Sequence, residues 1–225
     1  MNTNSNSYTI IYAAVMVVIV AFLLSFVHST FSSRQDANVE LDTKKQILYS
    51  LNIRDSKDAE ADYNKFVKAD MLLKGDQLTE NTGKFVTSFE NDYKKNGNLH
   101  VFVAEIDGQT KYIFPVFGAG LWGSIWGYVT LNDDKDTVYA TYFSHASETP
   151  GLGAEIQSYA AFQQQFEGKK VLNGGNVAIE VVKNGQAKGD INKVDGISGG
   201  TMTSNGVDAM LKDCLNNYKS FLNNK

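Results

Sequence analysis

The chain has 225 residues, enough for one or two domains with a real core, and its net charge of −4 comes without the basic patch that marks a nucleic-acid binder. A single cysteine, Cys214, excludes an internal disulfide framework and any multi-cysteine cluster. The three histidines, His28, His100 and His145, are too scattered to suggest a metal centre.

No charged residue precedes Arg34. Inside that head lies "YTIIYAAVMVVIVAFLLSFV", Tyr8 to Val27. As a helix, at about 1.5 Å per residue, it spans roughly 30 Å, the thickness of a bilayer core. Thr9 and Ser25 are its clearly polar residues, and each has a helix carbonyl within reach of its hydroxyl. Tyr8 and Tyr12 suit an interface anchor. A cleaved signal peptide is the rival reading, but it wants a basic n-region and a shorter apolar run. The expectation is a retained single-pass membrane anchor in residues 1–33. Arg34, Lys44 and Lys45 all follow the span, which on the positive-inside rule alone leans the rest of the chain toward the cytoplasm.

After a short polar linker, "FSSRQDANV", come three stretches with helical spacing. The first carries Val39, Ile47, Leu48 and Leu51; the second, "DAEADYNKFVKADMLLKG", stops at Gly75; the third runs over about 81–95, with Phe85, Val86, Phe89 and Tyr93 on one face. They predict a helical lead-in over 34–98. Near His100 the pattern changes to strands. Asp107-Gly108 between two strand-like runs predicts a hairpin, and "GYVTLNDDKDTVYATYFSH" predicts a second with an acidic turn. "SYAAFQQQFEGK" reads as a helix opened by Ser158, and "VAIEVVKNGQAKG" as a strand followed by an Asn-Gly turn. In the final stretch Val207, Met210, Leu211, Cys214, Leu215, Tyr218 and Leu222 form an amphipathic stripe, which makes Cys214 a packing residue.

Three motifs stand out. "GAGLWG" contains a G-x-G-x-x-G spacing, but the residues after it read as a strand and no acid lies about twenty residues on, so a dinucleotide fingerprint is rejected. Its glycines suit close packing around Trp122 and Trp126, as core or as the wall of a flat-ligand pocket. "HASETPGLG" puts rigid Pro150 before flexible Gly151 and Gly153, where backbone amides are free to meet a polar ligand edge; an ordinary strand-to-helix loop is the alternative. "DGISGGTMTSNGV" offers four hydroxyls, Ser198, Thr201, Thr203 and Ser204, at the start of the last helix. Ser204 is the candidate N-cap, with Asp208 in the first turn. Thr201, preceded by Gly199-Gly200, reads either as part of a plain turn or as a hydroxyl presented beside a phosphate-friendly helix end.

"DGISGGT" resembles the flavinylation motif Asp-x-x-(Ser/Thr)-Gly-Ala-Thr, with Asp195, Ser198, Gly199 and Thr201 matching and Gly200 in place of alanine. "ETPGLG" resembles the second signature of the same FMN-binding domain, and "GAGLWGSIWGY" is similar to a stretch of the C-subunit family of sodium-pumping NADH:quinone oxidoreductases. The resemblance implies an α+β chain: the anchor over 1–33, the helical lead-in over 34–98, and an FMN-binding domain over 99–225 with a mixed or antiparallel sheet and a C-terminal amphipathic helix. It implies FMN joined by a phosphoester to Thr201. The flavin would be contacted by Leu121, Trp122, Glu148, Thr149, Leu152, Gly153, Ser198, Gly199, Gly200 and Thr203. It also implies an inner-membrane complex of six subunits coupled to Na+ export, a periplasmic soluble domain and a separate flavin transferase. The G subunit of the homologous Rnf ferredoxin:NAD oxidoreductase, or an anchored binding module without redox chemistry, are the alternatives.

Overall fold

The computed structural model describes residues 5–224 and divides into two units, 1–41 and 42–225. Helix α1, Asn6–Tyr49, runs through the apolar stretch and through the segment expected as a polar linker. That segment contains no glycine or proline to stop a helix. The apolar stretch of α1 is long enough to cross a membrane and none of it is buried within the protein. From residue 43 onward α1 becomes amphipathic, with Ile47 and Leu48 fully buried in the second unit.

The second unit is built on a six-stranded antiparallel sheet in the order β2-β1-β3-β4-β5-β6. The strands are β1 Val67–Lys74, β2 Gln77–Glu80, β3 Leu99–Ile106, β4 Gln109–Ala119, β5 Ser124–Asn132 and β6 Val138–His145. The β3–β4 hairpin forms as the sequence predicts: Asp107 (φ 51°) and Gly108 (φ 76°) make a two-residue turn with both residues left-handed. The acidic β5–β6 turn is tied by Asp134, whose Oδ1 accepts from the amides of Asp136 and Thr137.

Helix α4, Thr201–Asn217, packs on one face of the sheet, followed by the short α5, Lys219–Asn223. The predicted stripe is its buried face, and it meets Phe114, Val116, Ile125, Val129 and Phe143. The end of α1 covers the other face. There Trp126 Nε1 donates to Gln46 (3.0 Å) and Thr130 donates to Ser50 (3.1 Å). Alternate residues of β5 thus serve two layers, which is why nearly the whole strand is buried.

Three helical expectations are corrected. The stretch 58–75 is helical only as α2, Ala59–Phe66; from Val67 it becomes β1, because pairing with both β2 and β3 outweighs helical spacing. The third stretch is helical only as α3, Phe89–Asn96, closed by Gly97 at φ 70°. "SYAAFQQQFEGK" holds just one short 3-10 turn, Gln163–Phe166. Buried Gln163 overrides the local preference: its amide donates to the carbonyls of Phe143, Ile156 and Gln157, which a regular helix would not bring together. The expected strand after Val177 is present as β9, Glu180–Val182, paired in parallel with β10, Lys193–Asp195, and the Asn-Gly turn follows with Gly185 at φ 81°. Two short strands, β7 Leu172–Asn173 and β8 Asn176–Val177, form a separate hairpin.

Candidate functional site

The three motifs, far apart in sequence, meet at one end of the sheet. The turn between β4 and β5, the loop after β6 and the entry to α4 enclose a cleft of about 120 Å³. It is lined by Leu121, by Glu148, Thr149, Leu152 and Gly153, and by the run Gly199 to Thr203. Glu148 staples the walls. Its Oε2 accepts from the Thr203 hydroxyl (2.6 Å), and its Oε1 from the Trp122 amide (2.8 Å). Burial pushes the Glu148 carboxyl up, but the bonds from Thr203, Trp122 and the Gly123 amide, with His145 nearby, outweigh it and hold the group below its ordinary value. Gly153 is required here. A Cβ at that position would run into the Thr203 hydroxyl and stand 2.6 Å from Glu148 Oε2.

Helix α4 begins at Thr201, not after Ser204. Gly200 is its N-cap and supplies no side-chain bond. Ser204 lies inside the first turn, where its hydroxyl accepts from the Ile197 amide (2.9 Å) and donates to the Gly200 carbonyl (2.9 Å). It thus pins the incoming loop rather than the helix end. Asp208 lies beyond the first turn and caps the neighbouring strand instead, accepting from the Val181 amide (2.9 Å). Gly199 takes φ 79°, a conformation that favours glycine, and the chain turns there to bring Thr201 to the cleft.

The four hydroxyls now separate. Thr203 and Ser204 are buried and occupied, whereas Ser198 and Thr201 are exposed. Of the exposed pair only Thr201 lines the cleft. It stands at the first position of a 17-residue helix, beside backbone amides that no helix carbonyl can reach. Of the residues expected around a ligand, Leu121, Glu148, Thr149, Leu152, Gly153, Gly199, Gly200 and Thr203 line the cleft. Ser198 and the Trp122 ring do not, and Trp122 is 66% exposed while contributing its amide. Trp126 is structural, on the far face of the sheet. Met202, 60% exposed on the rim, was not legible as a site residue, since an apolar residue in a helix's first turn carries no signal of its own. Asp195 stays out of the cleft and braces the loop, accepting from the Ala187 amide (2.9 Å).

Residues 120–216 match the FMN-binding domain family. The chain is 42% identical to the C subunit of the Na(+)-translocating NADH-quinone reductase from Parabacteroides distasonis, whose crystal structure superposes with a TM-score of 0.79 over 86% of this chain and 98% of that one. The chain belongs to the C-subunit family of these reductases. The Vibrio alginolyticus relative is 40% identical over 119 residues, 52% of this chain and 46% of that protein. The Haemophilus ducreyi relative is 26% identical over 94% of this chain and 90% of its own length.

FMN fits the cleft on this structure's own terms. The phosphate end finds an exposed hydroxyl at a helix N-terminus, where a negative charge is favoured by about 0.3–1 kcal/mol. The ring end finds apolar side chains in the lining, Leu121, Leu152 and Met202, each at least 42% exposed.

Proposed function

We propose that this chain is an electron-relaying subunit of a Na+-translocating NADH:quinone reductase and carries FMN esterified through its phosphate to Thr201. The observation that carries the attachment is the sorting of the four hydroxyls at the start of α4: of Ser198, Thr201, Thr203 and Ser204, Thr201 alone is both exposed and in the cleft lining. When bound, the flavin supplies the chemistry of accepting and passing on electrons. The protein's residues do the rest. The α4 amides stabilise the phosphodiester charge, Gly199 and Gly200 let the chain pack closely against Leu152 and Ile197 beside it, and Leu121, Leu152 and Met202 give the ring an apolar rest. The helix-end contribution is too small to drive bond formation, so attachment falls to a separate flavin transferase. The partners are the other subunits of a six-subunit inner-membrane complex that couples electron flow to Na+ export. Among the described residues, the apolar stretch of α1 holds no carboxylate, and α1 serves as the membrane anchor.

The test is intact mass and in-gel fluorescence of the full chain matured with a flavin transferase. Wild type gains the mass of one esterified FMN and fluoresces after denaturation. Thr201→Ala loses both while keeping its circular dichroism spectrum; Thr201→Ser keeps some. A Thr201→Ala protein that still fluoresces in a denaturing gel places the acceptor elsewhere.

A further inference from the structure

Glu148 is 4% exposed, yet it forms part of the cleft wall and its carboxyl is held below its ordinary value with no salt-bridge partner among the described residues. Among the described residues no lysine or arginine pairs with it. His145 makes no bond to the carboxylate oxygens. The His145 Nδ1 accepts from the Glu148 amide (3.1 Å), so its ring is tied to the backbone and not to the carboxylate. The groups bonded to it are neutral donors: the Thr203 hydroxyl and the amides of Trp122 and Gly123. Removing a carboxylate from water without a counter-ion is costly. The backbone nonetheless makes room for it, since a Cβ on Gly120 or Gly153 would collide with this carboxylate.

A loop staple needs no charge, because a neutral amide would span the same walls. We propose that Glu148 is a positioning residue whose fixed negative charge lowers the reduction potential of the cofactor in this cleft, while its bonds set the distance between the Leu121–Gly123 turn and Thr203. The inference rests on the flavin reading of the cleft. Its physics is Coulombic: adding an electron near a fixed negative charge is opposed, and more strongly where water is excluded.

Intact mass and redox titration of the full chain, purified in detergent after maturation, separate the two claims. If wild type carries no flavin, the flavin reading fails and the mass shows it before any potential is measured. If it does, Glu148→Gln, which keeps the shape and removes the charge, should retain the flavin mass. Its midpoint should move positive by about a tenfold change in the one-electron equilibrium, or about 59 mV. Glu148→Asp, which keeps the charge, should restore most of the wild-type potential. A flavin-loaded Glu148→Gln protein with the wild-type midpoint overturns the proposal. A second measurement needs no variant. With 13C-labelled glutamate in the wild-type protein, the reduced-minus-oxidised infrared difference spectrum should contain a labelled carboxylate band. Its absence overturns the proposal even if Glu148→Gln does not fold.

Discussion

At the scale of single residues, a hydroxyl near a helix start has two fates, and the sequence does not separate them. Ser204 sits where a capping serine is expected, yet the helix begins three residues earlier and its hydroxyl binds the Ile197 amide and the Gly200 carbonyl. The Gly199-Gly200 pair hid the true start, since glycine is a weaker start signal than serine. The exposure of Thr201 at the cleft agrees with the glycine pair before it, a signal that is local in sequence. The Thr203–Glu148 bond joins residues 55 positions apart, and no local pattern announces it. Ser204→Ala should therefore leave flavin attachment intact while stranding the Ile197 amide, at a cost of about 1–3 kcal/mol. Urea unfolding followed by circular dichroism reads the loss. An unchanged midpoint would mean the bond contributes nothing, and a loss of covalent flavin would mean Ser204 does more than brace the loop.

At the scale of elements, amphipathic spacing was legible where one helix meets one face, as in α4, and misleading where chain neighbours join the sheet. Residues 67–74 keep a helical-looking run, but β1 is the partner without which β2 and β3 would both lose a neighbour. A buried charge cluster fixes this part of the sheet. His100 on β3 is 2% exposed, with Nδ1 2.9 Å from Asp70 on β1 and Nε2 2.9 Å from Asp92 on α3. The ring packs between Phe89 and Phe102, and Tyr218 donates to the His100 carbonyl (3.0 Å). Burial alone would lower the imidazole's pKa, but the two carboxylates outweigh it and the net shift is upward. A group whose folded pKa is raised contributes stability that is complete below its unfolded pKa of about 6.5 and is lost as pH rises through the folded value. The domain should thus be more stable at pH 6 than at pH 9 in urea titrations. His100→Gln should flatten that difference and cost about 3 kcal/mol at pH 6, because two half-buried carboxylates lose their shared cation. Equal slopes for wild type and variant between pH 6 and 9 would assign the pH dependence to another group.

At the scale of the whole molecule, the membrane anchor was the most legible feature, since length and absence of charge are properties no tertiary contact can override. Orientation is a different matter. Arg34, Lys44 and Lys45 all follow the span, and Asp36, Glu40 and Asp42 stand among them without cancelling their weight under the positive-inside rule. That lean is weak, because it rests on so few charges. The covalent bond proposed at Thr201 argues the other way. A cofactor held by an ester is retained where replacement FMN is scarce, which is the case outside the cytoplasm and not within it. Residues from about 34 onward are therefore expected in the periplasm, with Tyr8 to Val27 kept in the mature chain. Cells with a permeabilised outer membrane should lose the domain to added protease, with the fluorescent band shifting to smaller mass. Inverted inner-membrane vesicles, which present the cytoplasmic side, should protect it. Digestion in the inverted vesicles and protection in the cells would reverse the orientation, and would remove scarcity of free FMN as the reason for a covalent tether.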